Sequence, residues 1–173
     1  MSSELEIVDL PEPLGRFAGQ LYDRAEQYLT AYDKLAAVDA LELPYPTYFL
    51  LQHAVELYLK ASLAAKGVSK RHLLGLRHDL NRLLALCDEH GVSRTAEFGY
   101  LVRDIHENSR DHDFRYPTNY NLRVPSKRLV DETILPFRDR IKGIIQYARI
   151  TAQLEHAEST RHLRGTARIR FSD

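Results

Sequence analysis

From Leu14 onward, apolar residues recur at steps of three and four: Phe17, Leu21, Ala25, Tyr28, Leu29, Tyr32 and Leu35. That spacing puts them on one face of a helix of about six turns. Pro44 and Pro46 are expected to break the chain before the next segment, Tyr48 to Gly67, YFLLQHAVELYLKASLAAKG. Its apolar residues surround the helix axis, so it reads as a helix through the middle of a bundle, ended by Gly67. One polar line interrupts it, Gln52, Glu56 and Lys60 at i, i+4 and i+8. The line reads either as an intrahelical Glu56–Lys60 pair worth about 0.3–0.5 kcal/mol or as the mark of something polar packed opposite.

Further along, Asp79 is placed to cap a third helix, with Leu80, Leu83, Leu84 and Cys87 inward and Gly91 at its end. Ser93 is expected to cap a fourth, whose inward set is Phe98, Leu101, Val102 and Ile105. The stretch from Asp111 to Val124 has no periodicity and reads as a loop. From Ser126 the last helix runs through Val130, Ile134, Phe137, Ile141, Ile144, Ile145 and Ala148, with Pro136 expected to kink it or mark a restart. No period-two strand and no repeat stands out. The pattern therefore predicts one all-α domain at residues 14–158, an antiparallel bundle of about five helices. A flexible lead at 1–13 is expected before it, and an arginine-rich tail at 159–173, frayed or held by a partner, after it.

Composition narrows the class. A chain of 173 residues fits one domain and is long enough to bury a core without disulfides or metals. The single cysteine, Cys87, cannot form an internal disulfide and reads as a small buried hydrophobe, which suits a reducing cytoplasm. The acidic opening MSSELEIVDL lacks a secretory signal, and no apolar run nears the roughly 20 residues that cross a bilayer, so a cytoplasmic protein without a membrane partner is expected. Net charge is zero, which argues against coating nucleic acid through bulk charge. The charge is clustered, however: Lys70, Arg71, Arg77 and Arg82, then Arg103, Arg110 and Arg115, then Arg161, Arg164, Arg168 and Arg170.

Phosphate-loop, dinucleotide, zinc-protease and nucleophile-elbow signatures are absent. His53 and Glu56 stand at i, i+3, but in reversed order relative to bundle di-metal motifs and without a second pair, so neither metal nor cofactor is expected. In the connection KRHLLGLRHD, His78 stands just before a helix N-terminus, where an anion would be favoured; the alternative is a solvated loop that simply caps the helix. Arg103, His106 and Arg110 share one helical face, and the chain continues into His112, Arg115 and Tyr116. Converging arginines and histidines bind phosphate and move protons near neutral pH; the alternative is a solvated charged face.

These residues also carry a resemblance. Ala54, Glu56, Leu59, Lys60 and Ala61 in A-x-E-x-x-L-K-A, then Gly67, His-Asp-Leu at 78–80 and Arg-Tyr-Pro at 115–117, resemble the HEPN domain over residues 14 to 155. The resemblance implies a bundle of four or five helices that is often a homodimer. Many such proteins are metal-independent endoribonucleases of toxin–antitoxin, phage-defence or RNA-processing systems; others bind nucleotides or pair with nucleotidyltransferases. Catalytic members carry R-x4-6-H, the arginine steadying phosphate and the histidine working on the ribose 2′-OH. If Arg110 takes the arginine's place, Arg115 and not a histidine stands five residues on and His112 is too close, so the motif is not intact there; Arg71 and His78 in the connection stand at R-x6-H.

The expectation is thus binding of a nucleotide or RNA through Lys60, His78, Arg103, His106, Arg115 and Tyr116. An alternative is a metal-independent endoribonuclease using Arg110 and His112. A third is a non-catalytic partner of a separate nucleotidyltransferase or defence complex, held through the last helix and the arginine tail.

Overall fold

A computed structural model describes residues 6–39, 42–111, 124–165 and 167–172, without the side chains of residues 38, 39, 110 and 111. Its described residues form six α-helices and two short strands. They are β1 (Glu6–Pro11), α1 (Leu14–Asp39), α2 (Pro44–Ala65), α3 (Lys70–Gly75), α4 (Leu80–Glu89), α5 (Ala96–Asp111), α6 (Lys127–Ser159) and β2 (Ala167–Ser172), with a single 3-10 turn at Arg161–Leu163. The all-α expectation is met in its main part, and the helical core lies where the periodicity places it.

The central helix is α2. From Ala54 to Ala64 every residue is buried, and α1, α4, α5 and α6 pack around it. Its N-terminus differs from expectation: Pro44 and Pro46 lie inside the first turn rather than ahead of it. Amide hydrogens there have no helical partner, so proline costs nothing and its fixed φ suits the helix. At the other end Gly67 takes φ +93°, and the Val68 amide donates to the Leu63 carbonyl at 3.0 Å, closing the last turn.

Each inward set predicted for the flanking helices is buried or half-buried. Phe17, Leu21, Ala25, Leu29 and Tyr32 of α1 are buried in the core, and the Tyr58 hydroxyl of α2 donates to Glu26 of α1. Phe98 of α5 stacks on Phe137 of α6 with centroids 4.0 Å apart. Cys87 is fully buried, and burial pushes its thiol up to about 12, so it behaves as a packed apolar group.

Four local expectations are corrected. Thr95, not Ser93, caps α5, accepting from the Phe98 amide at 3.2 Å, while Ser93 accepts from Arg140 on α6. The connection 70–79 contains a helical turn, α3, capped by Ser69. Pro136 does not mark a restart; α6 runs through it, because the carbonyl left unpaired belongs to the exposed Glu132 and can meet water. Finally, the lead and the tail are not free ends: β1 and β2 pair in parallel, Glu6 opposite Ala167 through Pro11 opposite Ser172.

The sheet closes the chain on itself. Val8 and Leu10 of β1, with Ile169 and Phe171 of β2, turn toward the bundle. Arg170 holds Asp9 with both forks, Nη2 to Oδ2 at 2.8 Å, and the Arg16 guanidinium of α1 sits 4.4 Å over the Phe171 ring. Among the described residues no helix is long and apolar enough to cross a membrane.

Gly15 sets the approach of α1 to α6. A Cβ there would stand 2.1 Å from the Ala148 carbonyl oxygen, a backbone atom that cannot rotate away. Alanine in a helix gains at most about 1 kcal/mol over glycine; overpacking costs about 1–3 kcal/mol, here near the upper end. Gly15→Ala is therefore expected to lower the thermal midpoint by a few degrees. An unchanged or raised midpoint in a calorimetric scan would mean that α1 slides without cost.

Candidate functional site

On the polar line of α2, Glu56 is 2% and Lys60 6% exposed. Two opposite charges this deep persist only if paired and hydrogen-bonded. Lys60 Nζ donates to Glu56 Oε1 at 2.6 Å and to the Arg77 carbonyl, also at 2.6 Å. The second contact comes from the α3–α4 connection, so the polar line does have a partner opposite. Arg77 is the one non-glycine residue among those described with a positive φ, +50°. That conformation costs about 1–3 kcal/mol, and it belongs to the residue whose carbonyl the buried lysine holds.

The next residue, His78, meets the same pair. His78 Nδ1 lies 2.8 Å from Glu56 Oε2, although the imidazole itself is 60% exposed. An ionised carboxylate only accepts, so Nδ1 carries the hydrogen and donates it, leaving Nε2 with a lone pair whenever the ring is neutral. A buried glutamate thus fixes the tautomer and orientation of a surface histidine. Asp79 then caps α4, accepting from the Arg82 amide at 3.0 Å.

From α5, His106 Nε2 comes within 3.8 Å of Asp79 Oδ1. His106 is only 14% exposed, and its buried Nδ1 has no hydrogen-bond partner among the described residues. Arg103, three residues earlier on the same helix, is exposed, its guanidinium 5.9 Å over the Tyr100 ring. Arg71, Arg77 and Arg82 are exposed as well, and none of these four arginines has a carboxylate partner among the described residues. The segment from α3 to α5 thus carries two imidazoles and four exposed guanidinium groups, residue types suited to phosphate.

His53, one turn before Glu56, is half-buried between Tyr28, at 4.4 Å, and Phe49, at 5.9 Å, with Nδ1 3.9 Å from Glu56 Oε2. Burial lowers its pKa; the Glu56 carboxylate opposes that shift, while His78, Lys60 and Arg24 add to it. Since Lys60 and His78 already hold the two oxygens of Glu56, the His53–Glu56 spacing serves packing. Among the described residues no three metal-ligating side chains come together.

Of the residues expected to bind ligand, His106 is brought within 3.8 Å of Asp79, the residue after His78, and Arg103 lies one turn before His106 on α5. Lys60 is not free to hold phosphate; it is buried in the pair with Glu56 and supports the turn that carries His78. Arg110 lies in the last turn of α5 with its side chain outside what is described. His112, Arg115 and Tyr116 lie outside the described residues. Glu56 as the residue that orients His78 was missed by sequence reasoning, though the polar line was its signal.

An all-α bundle with exposed arginines and two histidines carried on α3 to α5 is the class that fold and site define. The chain belongs to the HEPN domain family, whose model matches residues 18–155, most of its length. No curated protein and no solved structure matches it. Family membership supports a general nucleotide- or RNA-related function.

Removing one member of the buried pair strands the other. Lys60→Met is expected to cost about 3–5 kcal/mol in urea unfolding. The double change Glu56→Leu with Lys60→Met is expected to cost clearly less than the sum of the single changes, as coupled neighbours do; additive losses would mean the two charges do not depend on each other. His53 adds a pH dependence of known sign. The unfolded chain protonates near the ordinary 6.5, whereas the folded protein resists until lower pH, so stability is whole above that point and falls as pH drops through it. Between about pH 7.5 and about pH 5.5, His53→Phe is expected to lose less stability than wild type; equal losses would remove His53 as the source.

Proposed function

We propose that this protein binds a nucleotide or RNA phosphate where the α3–α4 turn meets α5. The observation that carries the reading is the exposed His78 imidazole held by a buried glutamate. Its neighbours support the same ligand: Arg71, Arg77, Arg82 and Arg103 without carboxylate partners among the described residues, in a chain of zero net charge. In sequence, α5 carries Arg110 in its last turn and leads into His112, Arg115 and Tyr116, which would extend phosphate contacts and offer a ring for a base to stack on. Lys60 acts from behind, through Glu56.

The same geometry supports a second reading, metal-independent RNA cleavage. An imidazole with Nδ1 held by a carboxylate and Nε2 exposed is arranged as a general base. It would take the proton of a ribose 2′-OH, whose oxygen attacks the adjacent phosphorus and expels the 5′ oxygen of the next nucleotide. His106, or His112 six residues further on, would supply the proton to that leaving oxygen. A place in a toxin–antitoxin or phage-defence system would follow from such an activity.

Binding of a labelled single-stranded RNA pool and of nucleotides in EDTA separates these outcomes. Arg103→Ala and Arg110→Ala are each expected to weaken binding roughly tenfold and to reduce its salt dependence. Affinity unchanged in both variants sinks the site. Wild-type products ending in 2′,3′-cyclic phosphate, lost in His78→Ala with binding retained, would establish cleavage; intact RNA throughout would leave a binding protein.

A further inference from the structure

A pocket of about 300 Å³ lies between α1 and α2, at the lower end of the size of small-molecule sites. Leu50 and Leu57 of α2 and the Tyr28 ring of α1 give it apolar walls, and Arg24, Gln27 and His53 supply its polar groups. Arg24 is exposed and has no carboxylate partner among the described residues; Asp23 beside it pairs with Arg149. Its neighbours three and four positions away, Gln20, Leu21, Gln27 and Tyr28, carry no charge. His53 packs 4.4 Å from the Tyr28 ring, yet its nitrogens make no hydrogen bond among the described residues, Nδ1 standing 3.9 Å from Glu56 Oε2. An unneutralised guanidinium and an unused imidazole beside apolar walls suit a carboxylate on a small apolar body. A bare phosphate would leave the two leucines and the ring uncovered.

We propose that this pocket binds a small apolar monocarboxylate and that its occupancy is felt at His78 through Glu56. The Arg24 fork takes the carboxylate oxygens, the Gln27 amide donates beside it, and the apolar body covers Leu50, Leu57 and the Tyr28 ring. His53 serves such an anion best as a charged donor. Arg24 and Tyr28 face His53 from α1, Glu56 and Lys60 from its own helix, and His78 from the α3–α4 connection. Burial, Arg24, Lys60 and His78 all oppose the added proton and Glu56 alone favours it, so a bound carboxylate supplies the missing negative charge. The charged ring then stands 3.9 Å from the same Glu56 oxygen that accepts from His78 Nδ1 at 2.8 Å. Two imidazoles drawing on one carboxylate oxygen couple the pocket to the surface histidine, and such coupling is reciprocal. The pocket stands by itself; only the meaning of its coupling rests on His78 being the imidazole that meets RNA.

An NMR titration of the full chain with benzoate tests the pocket, beside benzamide, an uncharged ring of the same shape, and inorganic phosphate. Benzoate is expected to saturate the signals of Leu50, Leu57 and His53 and to bind about tenfold more tightly than either control. It should also move the ring nitrogen signals of His78, which does not line the pocket. Arg24→Ala, a change at an exposed position, is expected to weaken benzoate about tenfold. Affinity is expected to rise as pH falls from about 7.5 to about 5.5, and to stay level in His53→Gln. Arg103→Ala is expected to leave benzoate binding unchanged, which separates this pocket from the RNA site. No saturation, controls as tight as benzoate, or wild-type affinity in Arg24→Ala would overturn the site. Benzoate bound with the His78 signals unmoved would overturn the coupling, whatever the protein does with RNA.

Discussion

A lysine and a glutamate buried side by side in the central helix constrain the rest of this molecule. Neither Glu56 nor Lys60 can hydrate, so each must satisfy its remaining hydrogen-bonding capacity within the protein. Lys60 spends one donor on the Arg77 carbonyl, and Glu56 gives its second oxygen to His78. Those two contacts pin the α3–α4 turn over α2. The left-handed conformation of Arg77 then follows as a cost the pair outweighs: strain of about 1–3 kcal/mol against the several kcal/mol that an unpaired buried charge would cost. A requirement of the core is thereby transmitted to the surface as a fixed imidazole. Asp79, capping α4 and facing His106, carries the same constraint one element further, to α5.

How much of this was legible follows from the range of each interaction. The long helices were readable because their periodicity is local and extends over many turns; the inward sets of α4 and α5 are buried as spaced. The strands were not. Each has six residues, and they pair across some 160 positions of sequence. The alternation Ala167, Ile169, Phe171 against Arg168, Arg170, Ser172 is genuine period two, yet too short to stand out beside an arginine-rich tail. Thr95 and Ser93 are chemically equivalent caps, so only the packing of α5 could choose between them.

The site was legible in chemistry and not in depth. Spacing put Arg103 and His106 on one face, and His78 at a helix start. Spacing cannot say that Lys60 lies inside the ion pair while His78 lies at the surface, because that depends on which element packs over the polar line. Lysine in an i, i+4 pair with glutamate reads as a surface feature unless the residues around it are apolar on every side, as they are in α2.

The terminal sheet gains a physical reason when set beside the length of α6. At 33 residues and about 1.5 Å per residue, α6 spans about 50 Å, against about 33 Å for the 22 residues of α2. Beyond Ala152 the bundle no longer covers it. There β2 takes over: Phe171 packs 5.1 Å from His156 and lies beneath Arg16, and the Asp9–Arg170 fork ties β2 to β1 just before α1 begins. The exposed Leu154 and the half-buried Ala157 lie on this buttressed stretch. A helix end left to fray would hold no apolar side chain in a fixed place. Joining the two chain ends beneath the overhang keeps the last turns of α6 helical, and with them the regular spacing of its outer face.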